Sequence, residues 1–129
     1  MKTLTPYLMF TGKCREAMEF YRDCLDGEIT IMQTCGEATI DFPEEASEMI
    51  FNSEMKAEGV CIKASDNPAN HGKEINESNF SLFVHFSEQA EFESVGEKLA
   101  EGGSITMQDD GHFLMLQDKF GFSWMLTTA

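Results

Sequence analysis

A four-letter pattern, Gly-x-Ile-Thr, stands at residues 27–30 and again at residues 103–106, each time directly after a stretch with helical spacing. A duplicated element order constrains a fold more tightly than local propensity, so the chain is best read as two copies laid end to end. In the first copy the apolar run YLMF at residues 7–10 suits a buried strand, and TGK after it opens a helix. Cys14, Ala17, Met18, Tyr21, Cys24 and Leu25 then fall on one helical face, and Gly27 is placed to end the helix as its C-terminal glycine. EITIMQT follows as a strand, CGEATIDFPEEAS as an acidic loop, and EMIFNSEM and GVCIKASD as two strands turning at Glu58 and Gly59.

The polar segment DNPANHGKEINES, residues 66–78, separates the copies. Beyond it NFSLFVHF reads as a strand, and Ser87 is the expected N-cap of a helix whose buried face is Phe92, Val95 and Leu99 and whose stop is Gly102 with Gly103. SITMQ, HFLMLQ and GFSWMLT complete three further strands. The order strand, helix, strand, strand, strand therefore occurs twice, over residues 1–65 and 76–129, with helices near 14–25 and 88–101. Aligned letter by letter, Met9 pairs with Leu82 and Phe10 with Phe83, 73 residues apart, whereas the Gly-x-Ile-Thr motifs lie 76 apart. Small gaps in the turns account for that drift. The expected class is α+β, two βαβββ modules in one domain of 129 residues, forming curved mixed sheets.

Charge and composition exclude some partners. With 23 acidic and 9 basic side chains the chain carries a formal charge of −14, which repels nucleic-acid phosphates and anionic membrane surfaces. No apolar run approaches the ~20 residues that cross a bilayer, and MKTLTPYLMF has no signal-peptide pattern, so a cytoplasmic location is expected. Cys14, Cys24, Cys35 and Cys61 match neither a Cys-x-x-Cys pair nor a zinc framework, and free, mostly buried thiols are expected. The runs YLMF, SLFVHF and FSWML hold more large apolar side chains than one such chain readily hides. A homodimer is therefore expected, the alternative being pairing of the two modules within one chain.

These residues resemble the vicinal oxygen chelate superfamily, which includes glyoxalase I, bleomycin-resistance proteins and extradiol dioxygenases. PYLMFTGKCREAMEFYRDCLDGEI, IKASD, NFSLFVHFS and LQDKFGFSWML are similar to its PhnB-like branch, and the likeness covers nearly the whole chain. Proteins of that look often carry a 3-demethylubiquinone 3-methyltransferase label. This chain lacks the glycine-rich strand-to-helix turn and the length for a doubly wound sheet that a nucleotide-like methyl donor would need. The resemblance implies a cavity lined by both sheets and, in many enzyme members, a divalent metal held by His, Gln or Glu on the first and last strands of each module.

Carried over residue by residue, the resemblance puts Pro6 at the first-strand ligand position, Asn79 at that of the second module, and Met125 at that of the last strand, with Cys61, Ile62 or Lys63 on the fourth. Such a set does not suit a hard divalent ion, and no metal or other cofactor is expected. Nor do the histidines replace it, since His71 falls in the linker, His85 at a strand end and His112 after DDG. MQDDGHFLML is also shorter than the corresponding loop of PhnB-like relatives, which helps form the cavity mouth.

Other chemistry is sparse. Cys61 and Cys35 are candidate nucleophiles and His85 a candidate base, but no spacing brings them together. The paired acids Glu44–Glu45 and Asp109–Asp110 read as solvated loop residues. Strand alternation suggests a ligand-binding lining of Leu8, Phe10, Lys63, Ser81, Phe83 and Met125, with Phe122, Trp124 and Leu126 packed under a helix. The expected function is binding of an apolar or cationic small molecule without a metal. The alternative is a metal-dependent lyase or dioxygenase of the same superfamily.

Overall fold

The structure, a computed structural model, describes residues 2–39, 41–68 and 80–129. It divides into two compact units, Met1–Glu74 and Ile75–Ala129. The first contains β1 (Tyr7–Phe10), α1 (Cys14–Leu25), β2 (Glu28–Thr34), β3 (Ile50–Ala57) and β4 (Val60–Asp66). The second contains β5 (Leu82–Phe86), α2 (Gln89–Ala100), β6 (Ser104–Gln108), β7 (Phe113–Gln117) and β8 (Ser123–Thr128). Each unit is thus a βαβββ module. The acidic loop of the first is braced by short 3-10 turns at Cys35–Glu37 and Glu44–Ala46.

The sheets have the same topology, β1-β4-β3-β2 and β5-β8-β7-β6. In each the first strand runs parallel to the last and the remaining pairs are antiparallel. The parallel pair requires a crossover connection, which α1 or α2 opens, and each helix lies on one face of its own sheet. Under α1 the core is Leu8, Phe10, Met18, Tyr21, Ile50, Met55, Ile62 and Ala64. Phe86, Phe92, Val95, Leu99, Leu116, Trp124 and Leu126 fill the same role in the second unit. Full burial of a side chain the size of Tyr21 or Trp124 contributes on the order of 2–3 kcal/mol.

Each unit also buries one aspartate as a backbone tie. Asp66 accepts N–H bonds from Gly12 and Cys14 on Oδ1 and from Ile50 on Oδ2, joining the start of α1 to the start of β3. Asp118 accepts from Phe120 and Phe122 and, on Oδ2, from the Trp124 indole at 2.8 Å. Neither charge is left unsatisfied, and that is why acids are tolerated there.

The repeated motif now has a physical explanation. An added Cβ on Gly27 would sit 2.7 Å from the Lys56 carbonyl oxygen, and one on Gly103 would sit 2.1 Å from that of Gln117. Glycine lets β2 and β6 start that close to the neighbouring strand. The register then shifts between Ile29 and Ile31, and again between Ile105 and Met107, so Thr30 and Thr106 occupy matching β-bulges. Gly27 is not the left-handed stop of α1: that role falls to Asp26 at φ 54°, and Gly102 at φ 77° is its counterpart. Similarly α2 begins one residue later than Ser87 suggested, with Glu88 in the cap position and no side-chain cap bond.

Candidate functional site

Register through the ladders equates the two sheets row by row. Ile29, Met55 and Ile62 form one cross-strand row on the helix side of the first sheet, and Ile105, Leu116 and Trp124 form its counterpart, in which Leu116 and Trp124 are buried and Ile105 is exposed. The next row turns to the face away from the helix. In the first sheet it is Ile31, Glu54, Lys63 and Tyr7; in the second it is Met107, Met115, Met125 and Phe83. Tyr7 therefore matches Phe83, 76 residues on, the same spacing as the motif. The letter match of Phe10 with Phe83 was out by three residues, an odd number, and an odd slip exchanges the faces of a strand.

The register also corrects part of the expected lining, which placed Leu8 and Phe10 on the side of Pro6. Leu8 pairs with Ala64 and Phe10 with Asp66, and both side chains are buried on the helix side, at 2% and 0% exposure. Tyr7 and Met9 stand on the opposite face instead. Lys63, Phe83 and Met125 do lie on the face away from the helices, while Phe122, Trp124 and Leu126 are buried. Ser81 is half-buried one residue before β5. Pro6 precedes Tyr7 and belongs to the helix-side row, its carbonyl accepting from Lys63 N–H, so it does not share a face with Met125. Asn79 and His71 lie outside the described residues.

Glu54 organises the first sheet's outward row. Its Oε1 accepts from the Thr30 hydroxyl at 2.7 Å and lies 3.8 Å from Lys56 Nζ; its Oε2 lies 3.8 Å from Lys63 Nζ and 4.0 Å from Cys61 Sγ. The side chain of Glu54 is only 17% exposed. The bulge turns Thr30 onto this carboxylate, and the tight β3–β4 hairpin places Glu54 against Lys63 and Lys56 against Cys61. The Thr30 hydrogen bond first, and then the two ammonium groups, hold the Glu54 carboxyl below the usual carboxylate range. Sequence reading had singled out Lys63 and Cys61 but missed Glu54, although a hairpin turning at Glu58 and Gly59 implies that pairing.

The matching places of the second sheet hold no such charges. Met115 stands for Glu54, Met125 for Lys63, Gln117 for Lys56 and Ser123 for Cys61. On its exposed side His85 Nδ1 lies 2.9 Å from Thr127 Oγ1, a strand-end pairing. Asp109 accepts backbone N–H bonds from Gly111, His112 and Phe113, with the His112 bond foremost in lowering its pKa. It shapes a turn. Glu44 and Glu45 lie in the second 3-10 turn, beside a shallow pocket of about 170 Å³ that includes Cys35, Asp41, Phe42 and Pro43.

All four cysteines are free thiols, three of them buried and Cys61 half-buried. Burial pushes the Cys14 thiol up to about 12, outweighing its hydrogen bond with Ser53, and burial likewise raises Cys35. Among the described residues no group of three or more His, Cys, Asp or Glu side chains is arranged to hold a metal ion. The donor chemistry agrees with that geometry. Neither Tyr7 and Lys63 in the first sheet nor Phe83 and Met125 in the second offer a divalent ion a carboxylate or an imidazole, and Glu54 is already engaged by Thr30 and two lysines. These described residues do not fit the metal that the superfamily's enzymes use.

Paired βαβββ units with a parallel first-to-last strand pair define a protein of the vicinal oxygen chelate class. The fosfomycin resistance protein FosX of Listeria monocytogenes shares the fold at a TM-score of 0.67 and 11% identity, over 99% of this chain and 91% of that one. Residues 2–127 match the family model described as 3-demethylubiquinone-9 3-methyltransferase, and the chain belongs to that PhnB-like family. Protein PA1353 of Pseudomonas aeruginosa is 30% identical, with a TM-score of 0.86 over 99% of this chain and 98% of its own. A PhnB protein of Bacillus cereus, described as a putative 3-demethylubiquinone-9 3-methyltransferase, is also 30% identical, with a TM-score of 0.81 and coverage of 99% and 100%.

Proposed function

We propose that this protein binds a small organic molecule on the outward face of its first sheet, without a divalent metal. The carrying observation is the row in which the apolar Ile31 and Tyr7 flank Glu54 and Lys63. Apolar surface with a few fixed polar groups is what holds and orients such a ligand. Glu54 is accompanied by two ammonium groups, and Lys56 also faces Glu28 across the ladder, so Lys63 is the cation beside the apolar Tyr7 and suits an anionic end better than the cationic one that the overall charge suggests. The favoured ligand is therefore largely apolar with one anionic group.

A methyl-transfer activity, the name carried by the family model, finds no support in the donor-site chemistry of this chain. FosX from Listeria has been solved with Mn(II) and sulfate, but at 11% identity that likeness extends to the fold alone. The proposal includes a homodimer burying more than about 1,000 Å², supported by the exposed Phe83, Met107, Tyr7 and Met9, and a cytoplasmic location, supported by the free thiols. No described helix is long and apolar enough to cross a membrane.

Three measurements test the reading. Protein purified without chelator and assayed for metals should hold far less than one equivalent of zinc, nickel, iron or manganese. A stoichiometric ion lost on mutating these strands would establish the metal-dependent lyase or dioxygenase alternative. Titration with an anilinonaphthalene sulfonate, apolar with one anionic group, should show saturable binding that weakens on Lys63→Met. Light scattering that shows a stable monomer at micromolar concentration would remove the dimer.

A further inference from the structure

The outward row of the first sheet brings together more than a ligand needs for binding. Cys61 and Lys63 converge on one oxygen, Oε2 of Glu54, at 4.0 and 3.8 Å, while Thr30 and Lys56 hold the other. Cys61 is the one thiol of the four that is not buried. It lies directly across the ladder from Lys56, which faces Glu28 on its other side, so its sulfur shares with Lys63 the Glu54 carboxylate and has Lys56 on the neighbouring strand. A nucleophile, a proton acceptor oriented by a third group, and cations beside them are the parts that covalent addition requires.

We infer that Cys61 is a reactive nucleophile that adds to electron-poor alkenes, the class of α,β-unsaturated carbonyl compounds, with Glu54 receiving its proton and Lys63 and Lys56 facing the oxygen that gains charge. In the step the S–H bond breaks and its proton passes to Glu54. A sulfur–carbon bond forms at the β-carbon, and the alkene π pair moves onto the carbonyl oxygen as an enolate. The enolate then takes the proton at the α-carbon, giving a neutral thioether adduct and regenerating the carboxylate. Electrons and atoms balance without an oxidant or reductant.

The chemistry also sets the size of the effect. Glu54 is held below the ordinary carboxylate range, so it is always ionised near neutrality but is a weak base toward a thiol. Its contribution should fall at or below the lower end of general-base effects, about tenfold. A half-buried thiol with no assistance should instead react more slowly than a free one, because access is restricted. The two cases differ in sign.

This inference is independent of whether the sheets bind a resident ligand. The full chain is treated with limiting N-ethylmaleimide, itself a conjugate acceptor, and adducts are located by peptide mass mapping. Cys61 should be modified before Cys14, Cys24 and Cys35, with a rate constant about tenfold above that of the same cysteine in the chain unfolded by guanidinium. Glu54→Gln and Lys63→Met should each return the rate to near the unfolded value. Should Glu54→Gln fail to fold, Lys63→Met and the comparison of folded with unfolded wild type still decide. A folded-state rate at or below the unfolded one, or rates unchanged in the folded variants, overturns the inference. Binding of the aryl sulfonate by Cys61→Ser tests the pocket separately, since dye lost while alkylation is fast in wild type sinks the pocket alone.

Discussion

The two sheets are built on one plan and carry opposite chemistry. Beneath the helices their rows match in kind, with Met55 and Ile62 in one and Leu116 and Trp124 in the other, all buried. On the outward faces, the same ladder positions hold Glu54 and Lys63 in one unit but Met115 and Met125 in the other. Folding constrains the buried rows, since each must fill the space under a helix at native packing density. The outward rows differ in chemical kind at the same ladder positions, polar in the first sheet and apolar in the second.

The shared plan can be broken most directly at the repeated glycines. Gly103→Ala should lower stability by about 2–3 kcal/mol and Gly27→Ala by somewhat less, because the carbonyl it meets is at 2.7 Å and not 2.1 Å. Denaturant titration reads both. Two unchanged midpoints would mean that the repeat's glycines do not serve strand approach. Next in size is the exchange that makes the first sheet resemble the second: Lys63→Met should weaken aryl sulfonate binding about tenfold, roughly 1.4 kcal/mol, by removing a charge-assisted contact. Met125→Leu, which keeps the second row apolar, should change that binding far less. Equal losses would place the anionic end elsewhere.

A third comparison uses pH. The folded pKa of Glu54 is below its ordinary 4.5, so its stabilising effect is complete above about that value and is lost as pH falls through the lowered one. Glu54→Gln should therefore flatten the acid limb of the stability curve. A limb identical to that of wild type would show that Thr30 and the lysines do not hold the carboxylate in solution. Smallest of all is His85→Ala in the second sheet. Its ring is exposed and makes one bond to Thr127, so loss of stability should stay within about 0.5–1 kcal/mol.

Much of the architecture was legible from residue order. Among the described residues both α-helices, the eight strands and the hairpin at Glu58 and Gly59 follow from spacing, turn residues and the repeat. The site was legible only in part. Of the expected lining, Lys63, Phe83 and Met125 lie on the face away from the helices, whereas Leu8 and Phe10 are buried on the helix side. YLMF is apolar at every position, so alternation that would tell one face from the other is invisible in β1. β8 offered better contrast, because Ser123 and Thr127 alternate with Trp124 and Leu126.

What the sequence by itself determined is the duplicated βαβββ order, since hydrophobic period and glycine placement act over a few residues and survive without knowledge of partners. Which residues share a face, and which charges meet, only the tertiary structure decided. Glu54 lies in a segment with no catalytic pattern, and Thr30 lies on a different strand. They are brought within 2.7 Å because a bulge at Thr30 rotates one strand and the ladder register fixes the other. Register is a non-local quantity in which a shift of a single residue reverses a strand's faces, and no local pattern encodes it where both faces are apolar.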